Sequence, residues 1–156
     1  MELLLASASP RRRALLSLLV DEFDTVDPDI DESLLPHESP IHYVARLAAE
    51  KAQVYEAGDR AVIGADTTVA VGSTVLGKPD NLQTAKDSLR RLSGRAHQVH
   101  TALSLNIAGS TQTRVVSTVV NFTHLSEEAI SQYLMMDEYM GKAGAYAIQG
   151  YAGAFV

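Results

Sequence analysis

The chain opens with an apolar run that breaks into small residues and then into Ser-Pro and three arginines: Leu3-Leu4-Leu5-Ala6-Ser7-Ala8-Ser9-Pro10-Arg11-Arg12-Arg13. This order describes a buried strand that passes through a tight loop straight into a helix. Ser9 is a good N-cap, and Pro10 suits the first helical position because its missing N–H would be unpaired there anyway. The free N–H groups and the positive end of the helix dipole then face the loop beside Arg11, Arg12 and Arg13, which makes a seat for a phosphate chain. An ordinary capped helix with a basic, solvated first turn is the simpler account. Arginines at a helix N-terminus oppose the dipole, however, and stability alone would favour Asp or Glu there.

Strand and helix patterns interleave along the rest of the chain. The first strand and helix fall at roughly 2–6 and 10–19, and residues 22–26 read as a short alternating strand before the acidic loop Asp27–Ser33. Ser39-Pro40 repeats the cap-plus-proline start, and the helix to about Tyr55 carries Val44, Leu47, Ala48 and Lys51 on one face. Residues 61–71 are β-like and apolar, and Gly72-Ser73 turns them into a hairpin with Thr74-Val75-Leu76. A third helix holds Leu82, Ala85, Leu89 and Leu92 at helical spacing and stops at Gly94. Two long β patterns follow at about 96–107 and 112–122, then a helix opening at Ser126-Glu127-Glu128. Residues 142–150 combine loop and strand character. The fold class is α/β with a mixed sheet.

The chain's 156 residues, 46% of them apolar, suffice for one compact domain with a real core. The absence of cysteine excludes disulfides, thiol nucleophiles and thiolate metal sites. A formal net charge of −6 argues against a nucleic-acid polymer as partner, so the arginine cluster is a local basic spot suited to a small anion. No apolar run reaches membrane-spanning length, and Glu2 and the arginines spoil a signal-peptide pattern. The expectation is a soluble, cytoplasmic enzyme. The apolar, strand-like end at Ala154-Phe155-Val156 leads us to expect a further C-terminal segment.

Asp66 stands inside the apolar β run, where a carboxylate is costly unless it is paired, metal-bound or facing a cleft. Lys51 shares an apolar helix face, although snorkelling from the helix edge is its bland explanation. Lys78 sits in a Gly-Lys-Pro loop and Glu32 ends the acidic loop. Together these residues can offset the roughly four negative charges of a triphosphate, with Mg2+ on Asp66 and Glu32 and waters completing its shell. No Walker loop and no dinucleotide fingerprint is present. His97 and His100 lie three apart in a strand and should face opposite ways, which argues against a histidine metal site.

In order and spacing, the motifs Ser7-Ala8-Ser9-Pro10-Arg11-Arg12, Arg46-Leu47-Ala48-x-x-Lys51-Ala52, Gly64-Ala65-Asp66-Thr67, Gly77-Lys78-Pro79, Ser93-Gly94 and Lys142-Ala143-Gly144-Ala145-Tyr146-x-Ile148-Gln149-Gly150 resemble the Maf family of nucleoside triphosphate pyrophosphatases. The resemblance covers nearly all of residues 1–156, as a single Maf-like domain, and implies a C-terminal segment beyond Val156. It implies an elongated two-lobed α/β fold, a mixed sheet flanked by helices, shared with the inosine triphosphate pyrophosphatases and with the cleft between the lobes. It also implies hydrolysis of a nucleoside triphosphate to monophosphate and pyrophosphate, a divalent metal cofactor (Mg2+ or Mn2+) and a homodimer.

Carried over by position, Asp66 is the proton acceptor, assisted by Lys51 and Lys78. Glu32 and Asp66 hold the metal, and Ser7, Arg11, Arg12, Lys51 and Lys78 line the phosphate site. Arg11, Thr67 and Gln149 match the dTTP/UTP-preferring subgroup; a glutamine amide can both donate to and accept from the edge shared by thymine and uracil. A nucleotide-binding regulator of cell division that does not hydrolyse is the alternative. Arg13 and Asp137-Glu138-Tyr139-Met140 receive no role.

Overall fold

The structure, a computed structural model, describes residues 2–55 and 58–156. In chain order its elements are β1 (Leu3–Ala6), α1 (Pro10–Leu16), β2 (Asp24–Val26), α2 (Pro40–Gln53), β3 (Ala61–Val71), β4 (Thr74–Leu76), α3 (Leu82–Leu92), β5 (Ala96–Ile107), β6 (Ser110–Asn121) and α4 (Glu127–Leu134). One mixed sheet has the order β2-β1-β3-β5-β6, and β4 pairs with β3. β1 runs parallel to both neighbours, with Leu4 opposite Asp24 and Val62, and Ala6 opposite Val26 and Gly64. β3 and β4 are antiparallel.

Local chemistry explains the boundaries. Ser9, Ser39 and Ser126 each accept a backbone N–H from three residues on, and proline occupies the first turn of α1 and α2. Asn81 and Thr84 form a reciprocal capping box at α3. Ala108 and Gly109 both take positive φ, 49° and 82°, as a two-residue turn matched to strand twist requires.

The chain divides into two compact units, Met1–Asp66 with Thr101–Val116, and Thr67–His100 with Ser117–Val156. In the first, Leu4, Ala6 and Val62 pack with Val26 and Tyr55, while Val44 and Ala48 of α2 pack on Ala102 and Val115. In the second, α3 and α4 bury Leu89, Leu92, Ile130 and Leu134 together with Val69, Phe122 and Tyr146. Phe122 stands edge-on to His97, Tyr146 and Phe155, at 4.9, 4.8 and 5.7 Å between ring centroids.

Several sequence expectations are corrected. α1 ends at Leu16 rather than near 19, because Leu15, Leu18 and Leu19 are exposed and no apolar face extends it. Residues 142–150 form no strand; they make a tight 3-10 turn at Ala143–Ala145 followed by irregular backbone. The apolar end is a second 3-10 turn, Tyr151–Phe155, rather than a strand-like segment. His97 and His100, at opposite parity along β5, are both buried: His97 packs against Phe122 and Tyr146, and His100 shares the parity of Ala102, which packs on Val44 and Ala48. His97 Nε2 pairs with the Tyr146 hydroxyl and His100 Nδ1 with the Ser117 hydroxyl, each at 2.7 Å.

Candidate active site

The parallel pairing of β1 with β3 ends at Ala6 and Gly64, and ligands of open α/β sheets collect beyond such carboxyl ends. β1 there turns through buried Ser7 into α1, while β3 continues through Ala65 to Asp66. The Arg12 guanidinium closes this corner, donating from one nitrogen to Ala65 O at 2.7 Å and to Ser7 Oγ at 3.3 Å. Burial lowers the Arg12 pKa from its ordinary value, and the charges of Asp66 and then Glu32 act in the opposite direction.

Lys51 and Asp66 are 5% and 7% exposed. The Lys51 ammonium donates to Asp66 Oδ1 and to Glu32 Oε1, each at 2.7 Å. The lysine therefore does not snorkel: it is drawn inward by two carboxylates. Burying an uncompensated carboxylate costs several kcal/mol, so this pairing is what makes Asp66 tolerable inside a strand (order of magnitude). The approach of α2 to β3 depends on Gly64. A Cβ there would land on Ala48 O and lie 2.5 Å from Ala52 N, so only glycine lets the turn carrying Lys51 come this close.

Glu32 lies on a loop, and α2 together with Tyr55 just beyond it holds that loop at several points. Tyr43 donates its hydroxyl to Glu32 O at 2.8 Å, and Tyr55 donates to Asp27 O at 3.1 Å. Arg46 grips the Glu38 carboxylate through Nε and Nη2 at 2.7 and 2.9 Å, and also reaches Ser33 O at 2.9 Å. Burial, then the charges of Asp66 and Glu32, raise the pKa of Tyr43. Sequence reasoning assigned Arg46, Tyr43 and Glu38 no role. The only available signal was Arg46 lying five residues before Lys51. Arg46→Ala should lower kcat/KM about tenfold, since a displaced loop misplaces Glu32, and Arg46→Lys should restore little of it because a point charge cannot replace the fork. Steady-state kinetics check this; unchanged kcat/KM in Arg46→Ala would mean the loop needs no such anchor.

Ser7, Arg12, Glu32, Lys51 and Asp66 are thus brought together in the first unit, and exposed Arg11 adjoins Arg12 on α1. Thr67, Lys78 and Gln149 belong to the second. There Thr67 follows Asp66 along β3, and Lys78 is exposed in the loop after β4. Gly144 N–H donates to Gly77 O at 3.1 Å, tying the Lys78 loop to the segment that leads to Gln149. Gly144 has φ +67°, and a Cβ there would meet Val69 Cγ1 at 2.9 Å. Ala145 also takes positive φ, 62°, a conformation that costs a residue with a Cβ about 1–2 kcal/mol. Gln149 is exposed in a turn closed by Gly150 N–H to Ala147 O at 3.0 Å. Arg13, on the other side of α1, donates to Thr25 Oγ1 at 2.7 Å.

The same fold occurs in solved structures of low sequence similarity. The Ham1 protein of Staphylococcus aureus aligns with a TM-score of 0.56 at 15% identity, over 78% of this chain and 72% of that one. A HAM1 protein from Coxiella burnetii gives 0.54 at 15% identity, over 78% and 73%. These likenesses define the class, a mixed α/β fold of the Ham1 kind. Residues 2–156 match the family described as Maf-like protein, and the chain belongs to that family. Among curated relatives, the dTTP/UTP pyrophosphatase of Hahella chejuensis is 48% identical over 159 residues, covering 99% of this chain and 79% of that protein. The dTTP/UTP pyrophosphatase of Pseudoalteromonas atlantica is 46% identical over 160 residues, covering 99% and 83%.

Proposed function

We propose that the protein hydrolyses dTTP and UTP to the nucleoside monophosphate and pyrophosphate. The observation that carries the chemistry is the Glu32–Lys51–Asp66 cluster, its lysine and aspartate buried, beside Arg12 at the carboxyl end of a parallel strand pair. The names of relatives 43–48% identical over nearly the whole chain support both the reaction and the base.

In this reading Asp66 accepts a proton from a water that attacks the α-phosphorus, the α–β anhydride bond breaks, and pyrophosphate departs with that electron pair. Lys51 holds Asp66 in place, and the cations Arg11, Arg12, Lys51 and Lys78 offset charge on the phosphates. Ser7 fixes the Arg12 guanidinium and offers its hydroxyl to the same phosphate chain.

A divalent cation fits this donor set. Glu32 and Asp66 present hard oxygen donors that already converge on one cation, the Lys51 ammonium. Among the described residues no group of three or more His, Cys, Asp or Glu could cage a metal. Mg2+ is commonly held by one or two carboxylates with waters and substrate phosphates, and Mn2+ accepts the same oxygen ligands. When bound on Glu32 and Asp66, such an ion supplies further neutralisation of the triphosphate.

Thr67 and Gln149 are assigned to the base and its neighbourhood, the Gln149 amide pairing with the O4 and N3–H of uracil or thymine. Cytosine presents the opposite donor–acceptor pattern at these atoms and is disfavoured. Among the described residues no helix is long and apolar enough to cross a membrane. A cytoplasmic homodimer acting on a small nucleotide rather than a nucleic-acid polymer accords with the acidic net charge of −6 and with the family resemblance.

The test gives the purified protein Mg2+ and dTTP, UTP, CTP or GTP, with pyrophosphate and orthophosphate measured separately. Pyrophosphate from dTTP and UTP ahead of CTP and GTP is expected. Orthophosphate as the first product, or tight binding without turnover, contradicts the reading. Gln149→Ala should narrow the preference for UTP over CTP about tenfold while leaving CTP hydrolysis nearly unchanged; an unchanged ranking sinks the role of Gln149.

A further inference from the structure

The segment between α4 and the Ala143–Ala145 turn carries an acidic residue whose placement the chemistry above does not use. Asp137 takes φ +55°, a left-handed conformation, immediately before the half-buried Glu138. Glu138 Oε1 accepts the N–H of Tyr151 at 3.2 Å. The same oxygen lies against the Cα of Gly150, where any Cβ would collide with it. Glu138 Oε2 and the Tyr133 hydroxyl are both buried, and neither completes a hydrogen bond of good geometry. The two groups nonetheless sense each other: the pKa of Tyr133 is raised first by burial and then by Glu138. Glu138 is half-buried, yet its Oε2 is wholly enclosed beside a phenol without a completed hydrogen bond, a costly arrangement that an apolar side chain would avoid. Its backbone partners point to its use. Tyr151 N–H and Gly150 Cα are the two positions immediately following Gln149, whose turn closes through Gly150 N–H to Ala147 O at 3.0 Å.

We infer that Glu138 is a positioning residue for base selection: its carboxylate clamps Gly150 and Tyr151 and so fixes the turn that presents Gln149. This rests on the reading of Gln149 as the residue that pairs with the base. It also gives Gly150 a specific reason to be glycine, since a side chain there would evict the carboxylate.

The experiment measures kcat/KM for UTP and CTP in the wild type and in Glu138→Ala, Glu138→Gln, Gly150→Ala and the double variant Glu138→Ala/Gly150→Ala. Gln149→Ala is the reference for lost base reading. Glu138→Ala should reduce the UTP-over-CTP ratio about tenfold, towards that of Gln149→Ala, with the loss confined to UTP. Glu138→Gln should keep the ratio within about threefold of wild type, because its amide oxygen still accepts from Tyr151. Gly150→Ala should imitate Glu138→Ala, yet add nothing in the double variant, where the carboxylate is gone; that non-additivity marks direct coupling.

A residue that only supports the fold would lower both substrates equally. Equal loss in Glu138→Ala, with the ratio intact while Gln149→Ala loses it, overturns the inference. A ratio intact in Gln149→Ala as well removes the base-reading role of Gln149 and the inference with it. Should Glu138→Ala fail to fold, a wild-type ratio in Gly150→Ala overturns the proposal on its own.

Discussion

Asp66→Asn should lower kcat/KM for dTTP and UTP about a thousandfold while the protein stays folded and still binds nucleotide. Asparagine has nearly the same shape, but its amide cannot take the proton of an attacking water, and a positioned general base is worth roughly two to four orders of magnitude. The fold tolerates the change because Lys51 keeps Glu32 as a partner at 2.7 Å, so its ammonium is not left buried alone. Losing one of its two charged hydrogen bonds costs about 1.5–3 kcal/mol, a visible shift in a thermal melt but short of unfolding. Turnover within tenfold of wild type would remove Asp66 from the chemistry. A loss of activity matched by a loss of folded protein would reduce it to a structural residue.

Gly64→Ala should also be damaging, by a different route. The added methyl would meet Ala48 O and lie 2.5 Å from Ala52 N and 3.0 Å from Ala52 Cβ. Two of these three atoms are helix backbone and cannot swing aside, so α2 must move off β3 as a body. Overpacking of this kind costs about 1–3 kcal/mol or more, several degrees of melting temperature for a chain of this size. Lys51 lies between Ala48 and Ala52 on the displaced turn, and a shift of about 1 Å at a reacting centre can cost a hundredfold in rate. We therefore expect a lower melting temperature together with about a hundredfold lower kcat/KM, measured by thermal melt and steady-state kinetics. Wild-type values for both would show that the close approach of α2 to β3 does not set the site.

What was legible in the sequence was mostly local. Serine caps, proline starts, the Gly72-Ser73 hairpin and the long β runs each declare themselves within a few residues, and the elements fall close to where these signals put them. Asp66 and Lys51 stood out because each is a charge placed in an apolar pattern, and the structure buries both. The straps from Tyr43, Arg46 and Tyr55 to the loop 27–38 were invisible, since each ordinary-looking side chain reaches across eight to 28 residues, two of them to backbone carbonyls. The burial of both His97 and His100 was not legible, since the two parities of β5 are covered by different partners distant in the chain. Residues 142–150 mislead because alanine, tyrosine and isoleucine suggest a strand, whereas left-handed backbone at Gly144 and Ala145 makes a turn. Glu138 gave no signal at all, for its partners are a backbone N–H and a missing side chain.

Hydrolysis of UTP in water carrying the heavy oxygen isotope, followed by mass spectrometry of the products, tests the central chemistry most directly. Attack at the α-phosphorus places one heavy oxygen in the monophosphate and none in pyrophosphate, and Asp66→Asn should slow the appearance of that labelled monophosphate about a thousandfold. Label in pyrophosphate would mean attack at the β-phosphorus, and label in orthophosphate attack at the γ-phosphorus; either result contradicts the mechanism proposed for Asp66.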